Sequence, residues 1–159
     1  MFCNGISLAI GVKPLVLNLN LKPGETKEFE LIFSSNKKNE KINLSFYQLN
    51  QTKDGSLSYE KANEDGWINL ERDELIISSG QNYKLKGIVK APYNAGGSRT
   101  EIIMVEPQNS VQNNKGIKVL VRYAIKVHMR VDRLGVIKRA NIKTFNIEKG
   151  NKKQAILKV

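Results

Sequence analysis

From Ile117 to Val131 every odd position is apolar or aromatic: Ile117, Val119, Val121, Tyr123, Ile125, Val127, Met129 and Val131. Between them stand Lys118, Leu120, Arg122, Ala124, Lys126, His128 and Arg130. Successive side chains of a β-strand point to opposite faces, so this run predicts a strand with one apolar and one basic face. At about 3.3 Å per residue it would extend roughly 50 Å, longer than a sandwich strand, and is expected to bend or leave its domain near Arg130. The same period recurs upstream. Leu15, Leu17, Leu19 and Leu21 alternate with Val16, Asn18 and Asn20; Phe29, Leu31 and Phe33 alternate with Glu28, Glu30 and Ser34 across a second run; Ile42, Leu44 and Phe46 open a third. Tyr83, Leu85, Gly87 and Val89 alternate mainly with lysines, and Thr100 to Val105 forms a further strand.

Turn chemistry separates these runs. Lys22-Pro23-Gly24-Glu25 reads as a type II turn, with proline presetting φ and glycine supplying the positive φ that follows. Thr52-Lys53-Asp54-Gly55, Asp65-Gly66 and Ser79-Gly80 are turn signals, and Pro92 and Pro107 stop the strands before them. No amphipathic helical pattern is visible. Short strands with turns every 8–12 residues or so predict an all-β, immunoglobulin-like β-sandwich of about seven antiparallel strands over residues 10–132. Hydrophobic residues, 40% of the chain, suffice for its core. Residues 133–159, with two strand patterns around Lys149-Gly150-Asn151, are expected to open a second, incomplete β domain. Residues 1–9 end in Ser7-Leu8-Ala9, which reads either as the remnant of a signal-peptidase site or as a plain N-terminal strand.

Composition narrows the chemistry. One cysteine, Cys3, excludes an internal disulfide, and one histidine, His128, leaves little with which to build a triad or a multi-histidine metal site. No catalytic constellation stands out, and a non-enzymatic domain without cofactor or metal is expected. Ala95-Gly96-Gly97-Ser98 lacks the Lys-Ser/Thr end of a phosphate loop and precedes a strand, so a strand-entry turn is its plain reading. Glu71, Asp73 and Glu74 lack calcium-loop spacing and read as a solvated edge. His128 is expected on the surface and Trp67 in the core. No stretch approaches the roughly 20 apolar residues of a membrane-spanning helix.

The formal charge of +11 is unevenly placed. Residues 1–114 hold 13 Lys+Arg and 13 Asp+Glu, whereas residues 115–159 hold 13 Lys+Arg against Asp132 and Glu148. Such asymmetry points to an anionic partner or to a solvated strand face. With only Tyr123 and Phe145 as aromatics in the basic segment, nucleic acid is the weakest of the candidate partners. Anionic cell-wall polymer, membrane head groups or a partner protein's carboxylates fit it as well.

The order of these features resembles the first domain of PapD-like periplasmic pilus-assembly chaperones. It comprises the apolar first strand, the Pro23-Gly24 turn, Trp67-Ile68, Ser79-Gly80 before a strand ending at Ala91-Pro92, and the closing run Ile125-Lys126-Val127-His128-Met129-Arg130-Val131. The resemblance implies export, to the periplasm or the cell surface, and capture of a protein partner by β-strand addition. It implies Lys126 as anchor for the partner's terminal carboxylate and Ile117, Val119 and Val121 as donated side chains. Arg122 and Arg130, on the same strand, complete the expected partner-binding set. The family's second basic anchor, an arginine on the first strand, has no match; Lys13 is the nearest basic residue. The chain is also similar, less closely, to WxL-associated Gram-positive surface domains, through Asp54-Gly55-Ser56-Leu57-Ser58-Tyr59 and Pro92 to Gly97. That similarity implies a structural surface module binding wall polymer or a surface protein.

Overall fold

The computed structural model describes residues 10–62, 66–108, 121–135, 146–149 and 155–158. Twelve strands appear among them and no helix: β1 (Gly11–Lys13), β2 (Val16–Leu21), β3 (Thr26–Ser34), β4 (Glu40–Gln51), β5 (Leu57–Lys61), β6 (Ile68–Leu70), β7 (Glu74–Ile77), β8 (Asn82–Lys90), β9 (Gly97–Pro107), β10 (Tyr123–Val131), β11 (Asn146–Lys149) and β12 (Ala155–Lys158). The first ten make two sheets. One has the order β1-β3-β8-β6; the other has β2-β10-β9-β4-β5, with β7 also on β4. β11 and β12 pair antiparallel in a sheet of their own.

The alternation read from the sequence sorts the core. Phe29, Leu31 and Phe33 of β3, Leu85 and Val89 of β8, Ile42 and Leu44 of β4, Ile103 and Val105 of β9, and Ile125, Val127, Met129 and Val131 of β10 are buried in one cluster between the sheets. Each fully buried side chain of this size contributes about 1.5–3 kcal/mol through removal of apolar surface from water. Gly87 sits in register with both Phe29 and Leu70, and their side chains fill the space its missing side chain leaves.

The immunoglobulin-like sandwich is present, with two departures from the expected strand plan. Ten strands build it rather than about seven, because the edges are divided into short pieces. The first strand breaks at Lys13-Pro14: β1 pairs with β3 in one sheet, and after the proline β2 pairs with β10 in the other. Proline has no N–H to continue a ladder, so the crossing falls there. The second departure is direction: β2 lies parallel to β10, from Val16↔Lys126 to Leu21↔Val131. The turns form where expected. Glu25 N donates to Lys22 O at 3.0 Å with Gly24 at φ 78°, and Gly55 N donates to Thr52 O at 3.0 Å with Gly55 at φ 86°. Asp65 and residues 1–9 lie outside the described residues.

Candidate binding edge

β10 is covered unequally on its two sides. Against β9 it is paired along its whole length, from Tyr123↔Val105 to Val131↔Gly97. Against β2 it is paired only from Lys126 onward. Among the described residues no strand covers the second edge over Tyr123, Ala124 and Ile125. Strand geometry says which groups this exposes. Lys126 N donates to Leu15 O at 2.9 Å and Asp132 N donates to Leu21 O at 3.1 Å, so even-numbered residues turn their backbone groups toward β2. Backbone direction alternates along a strand, which directs the N–H and C=O of Ala124 into the open edge.

Lys126 lies where the uncovered edge meets the start of β2. Its side chain is on the outer face of the sheet and half-buried, with Val16 of β2 on one side and Ile102 of β9 on the other. Both neighbours are apolar, so no carboxylate shares its row across these three strands. Leu15 and Val16, 47% and 49% exposed, make an apolar ledge at the same point. Val16 occupies the place nearest Lys126 on the first strand. Lys13 belongs to the other sheet, opposite Ile32. The second cation of the family pattern therefore has no counterpart facing Lys126 across the β2–β10 ladder.

The other expected site residues are dispersed. The described strand begins at Tyr123 rather than Ile117. Val121 and Arg122 are exposed and precede it outside any strand, and Ile117 and Val119 lie outside the described residues. Arg122 Nε is 3.1 Å from Glu106 Oε1, and Arg130 Nε is 3.1 Å from Asp132 Oδ1, so each of these arginines already has an anionic neighbour. His128 Nδ1 is 2.9 Å from Thr100 Oγ1 on the same outer face.

Sequence reading missed a cluster at the other side of β9. Glu101 is fully buried, its Oε1 accepting from Arg99 Nε at 2.5 Å and from Trp67 N at 3.4 Å. The Arg99 guanidinium lies over the Trp67 ring, 5.0 Å from its centroid. Glu101 Oε2 is buried without a hydrogen-bond partner among the described residues. Parity was the available signal: Glu101 shares the odd, core-facing register of Ile103 and Val105. Among the described residues no group of three or more His, Cys, Asp or Glu side chains could hold a metal ion.

No family model matches the chain, and no curated protein matches it. Solved structures do. A chain of the chaperone–tip adhesin complex of CFA/I fimbriae superposes with a TM-score of 0.61 at 15% identity. The class 5 fimbriae chaperone CfaA does so with a TM-score of 0.59 at 14% identity. Each comparison covers 94% of this chain and 65% of the other, so the chain spans less than two thirds of the length of either.

The likeness is one of fold. It bears out the PapD-like architecture read from the sequence. A family 123 glycoside hydrolase from Clostridium perfringens also matches, with a TM-score of 0.54 at 12% identity, over 79% of this chain and 27% of its own. The architecture therefore occurs in both binding proteins and an enzyme, and function has to be argued from the edge itself.

Proposed function

We propose that the chain is an exported, non-enzymatic binding domain that captures an extended segment of a partner protein by β-strand addition at the open edge of β10. The observation that carries this reading is the part-covered strand, open among the described residues over Tyr123 to Ile125. β2 runs parallel to β10 and begins at Val16; a segment laid in the same direction along the uncovered part ends where β2 starts. Its terminal carboxylate then falls beside Lys126, whose ammonium has only apolar neighbours in its row. The N–H and C=O of Ala124 supply main-chain pairing, the source of affinity in strand addition. That a chaperone–adhesin complex shares the fold supports a protein partner of this kind, handled in the periplasm or at the cell surface. On this reading Ile117, Val119 and Val121 reach into the partner, and the arginines with carboxylate neighbours, Arg122 and Arg130, contribute less than Lys126.

The test uses a ten-residue peptide of alternating valine and threonine, with a free or an amidated C-terminus. A hydrogen bond to a charged group contributes about 1.5–3 kcal/mol, so the free carboxylate should bind roughly 10- to 100-fold more tightly. Lys126→Ala should remove that preference while leaving the melting temperature near that of the unsubstituted chain, because Lys126 lies outside the core cluster. Equal binding of both peptides, or a preference that survives Lys126→Ala, would sink the proposal.

A further inference from the structure

A second place where ladders part lies on the far side of β9. β4 and β9 pair from Ile42↔Pro107 to Gln48↔Glu101, and there the ladder ends. β4 continues to Gln51 paired only with β5, while the start of β9, from Gly97 to Thr100, is paired only with β10. The two arms leave a cleft of about 300 Å³ between them. This is at the small end of the range for ligand pockets.

Its lining is of mixed chemistry. Leu49 and Leu57 give an apolar wall. Gln51 gives a carboxamide, and Ser98 and Thr100 give hydroxyls. Arg99 also lines it, between Ser98 and Thr100. Its guanidinium is held in place, stacked over Trp67 and bonded through Nε to buried Glu101. The bond to Glu101 neutralises its charge without using its terminal nitrogens. The cleft thus presents short hydroxyls, an amide and an aliphatic wall, and among the described residues its lining holds no carboxylate. The exposed ring of Tyr59, opposite Leu49 on β5, extends the apolar wall outward.

We infer that this cleft is a binding site for one uncharged hexose ring of a glycan. A pyranose has an apolar C–H face and a rim of hydroxyls that both donate and accept. The leucine wall fits the first, and the amide and hydroxyl groups fit the second. An unpaired anion is a poorer fit, because the charge of Arg99 is already met by Glu101. This site is separate from the open edge of β10 and does not depend on strand addition there.

Isotope-labelled chain titrated with maltotriose, triacetylchitotriose and trigalacturonate tests the inference by amide NMR. At least one neutral trisaccharide should give saturable shifts at Leu49, Gln51, Ser98 and Thr100, with millimolar affinity. Ser98→Trp, an exposed position, should fill the cleft and weaken binding at least tenfold. Gln51→Ala should weaken it severalfold without altering the melting temperature, and Lys126→Ala should leave it unchanged. The inference is overturned if neither neutral sugar shifts these amides at tens of millimolar. It is equally overturned if trigalacturonate alone binds, or if Ser98→Trp binds as the unsubstituted chain does.

Discussion

At Gly87 the core has no room for a methyl group. A β-carbon built there would overlap the Phe29 ring and approach Leu70 Cδ2 to 2.7 Å. Gly87→Ala is therefore expected to destabilise the sandwich by about 1–3 kcal/mol through overpacking, read as a lower urea midpoint with an unchanged slope. A second residue-scale expectation concerns pH. Asp54 accepts from the hydroxyls of Thr52 and Ser56 and from the amide of Ser56, and these bonds lower its pKa from 3.8 to about 2, the Thr52 bond most. A depressed carboxylate pKa contributes stability above the unfolded value that is lost as pH falls through the folded one. The β4–β5 turn should therefore loosen between about pH 4 and 2, seen as a falling protection factor of the Ser56 amide, taken against the unstructured rate at each pH, and Asp54→Asn should abolish that fall. The two residues differ in how far the sequence reveals them. Asp54-Gly55 is a turn on its face. Gly87 reads only as one more member of an alternating strand, because the demand for glycine comes from Phe29 and Leu70, far away in sequence.

Single strands were legible because burial on one face imposes a period of two. β3, β4 and β8 carry their apolar sets inward as the alternation requires, and β9 does so at Ile103 and Val105 while Ile102 lies on the outer face. Glu101 breaks the rule on the core face of β9, and only the structure shows why it is tolerated: Arg99 and Trp67 N meet one oxygen. What alternation cannot show is which edges are covered. Ile117 to Val131 reads as one uniform ribbon, yet its cover by β2 starts at Lys126 because Pro14 ends the preceding strand. This unequal cover has a direct consequence for hydrogen exchange. Lys126 N–H is bonded to Leu15 O, whereas Ala124 N–H faces the uncovered edge. In the free chain the Ala124 amide should exchange at least a hundredfold faster than that of Lys126, and it should slow when the free-carboxylate peptide is bound. Protection of Ala124 equal to that of Lys126 in the free chain would mean that the edge is already occupied, and strand addition there would lose its basis.

The sandwich as a whole is closed by contacts between chain segments far apart. The β2–β10 ladder joins Val16–Leu21 to Lys126–Val131, across more than a hundred residues, whereas β4 and β5 meet across a tight turn. Closing a long loop costs entropy before its contacts are made, so ladders of this kind form late and slow folding into the millisecond-to-second range. The fold class could be read from turn spacing, but this closure could not, since nothing in the pattern of Leu17, Leu19 and Leu21 specifies a parallel partner at the other end of the domain. Leu19 packs half-buried against the core from β2. Leu19→Ala should cost about 1–2 kcal/mol, less than a fully buried leucine because part of its surface is already in water. If the ladder is absent from the folding transition state, nearly all of that loss appears as faster unfolding, roughly five- to thirtyfold, with the folding arm of the chevron unmoved. A substitution that instead slows folding would place β2 against β10 in the nucleus. The edge at Lys126 would then form with the core rather than after it.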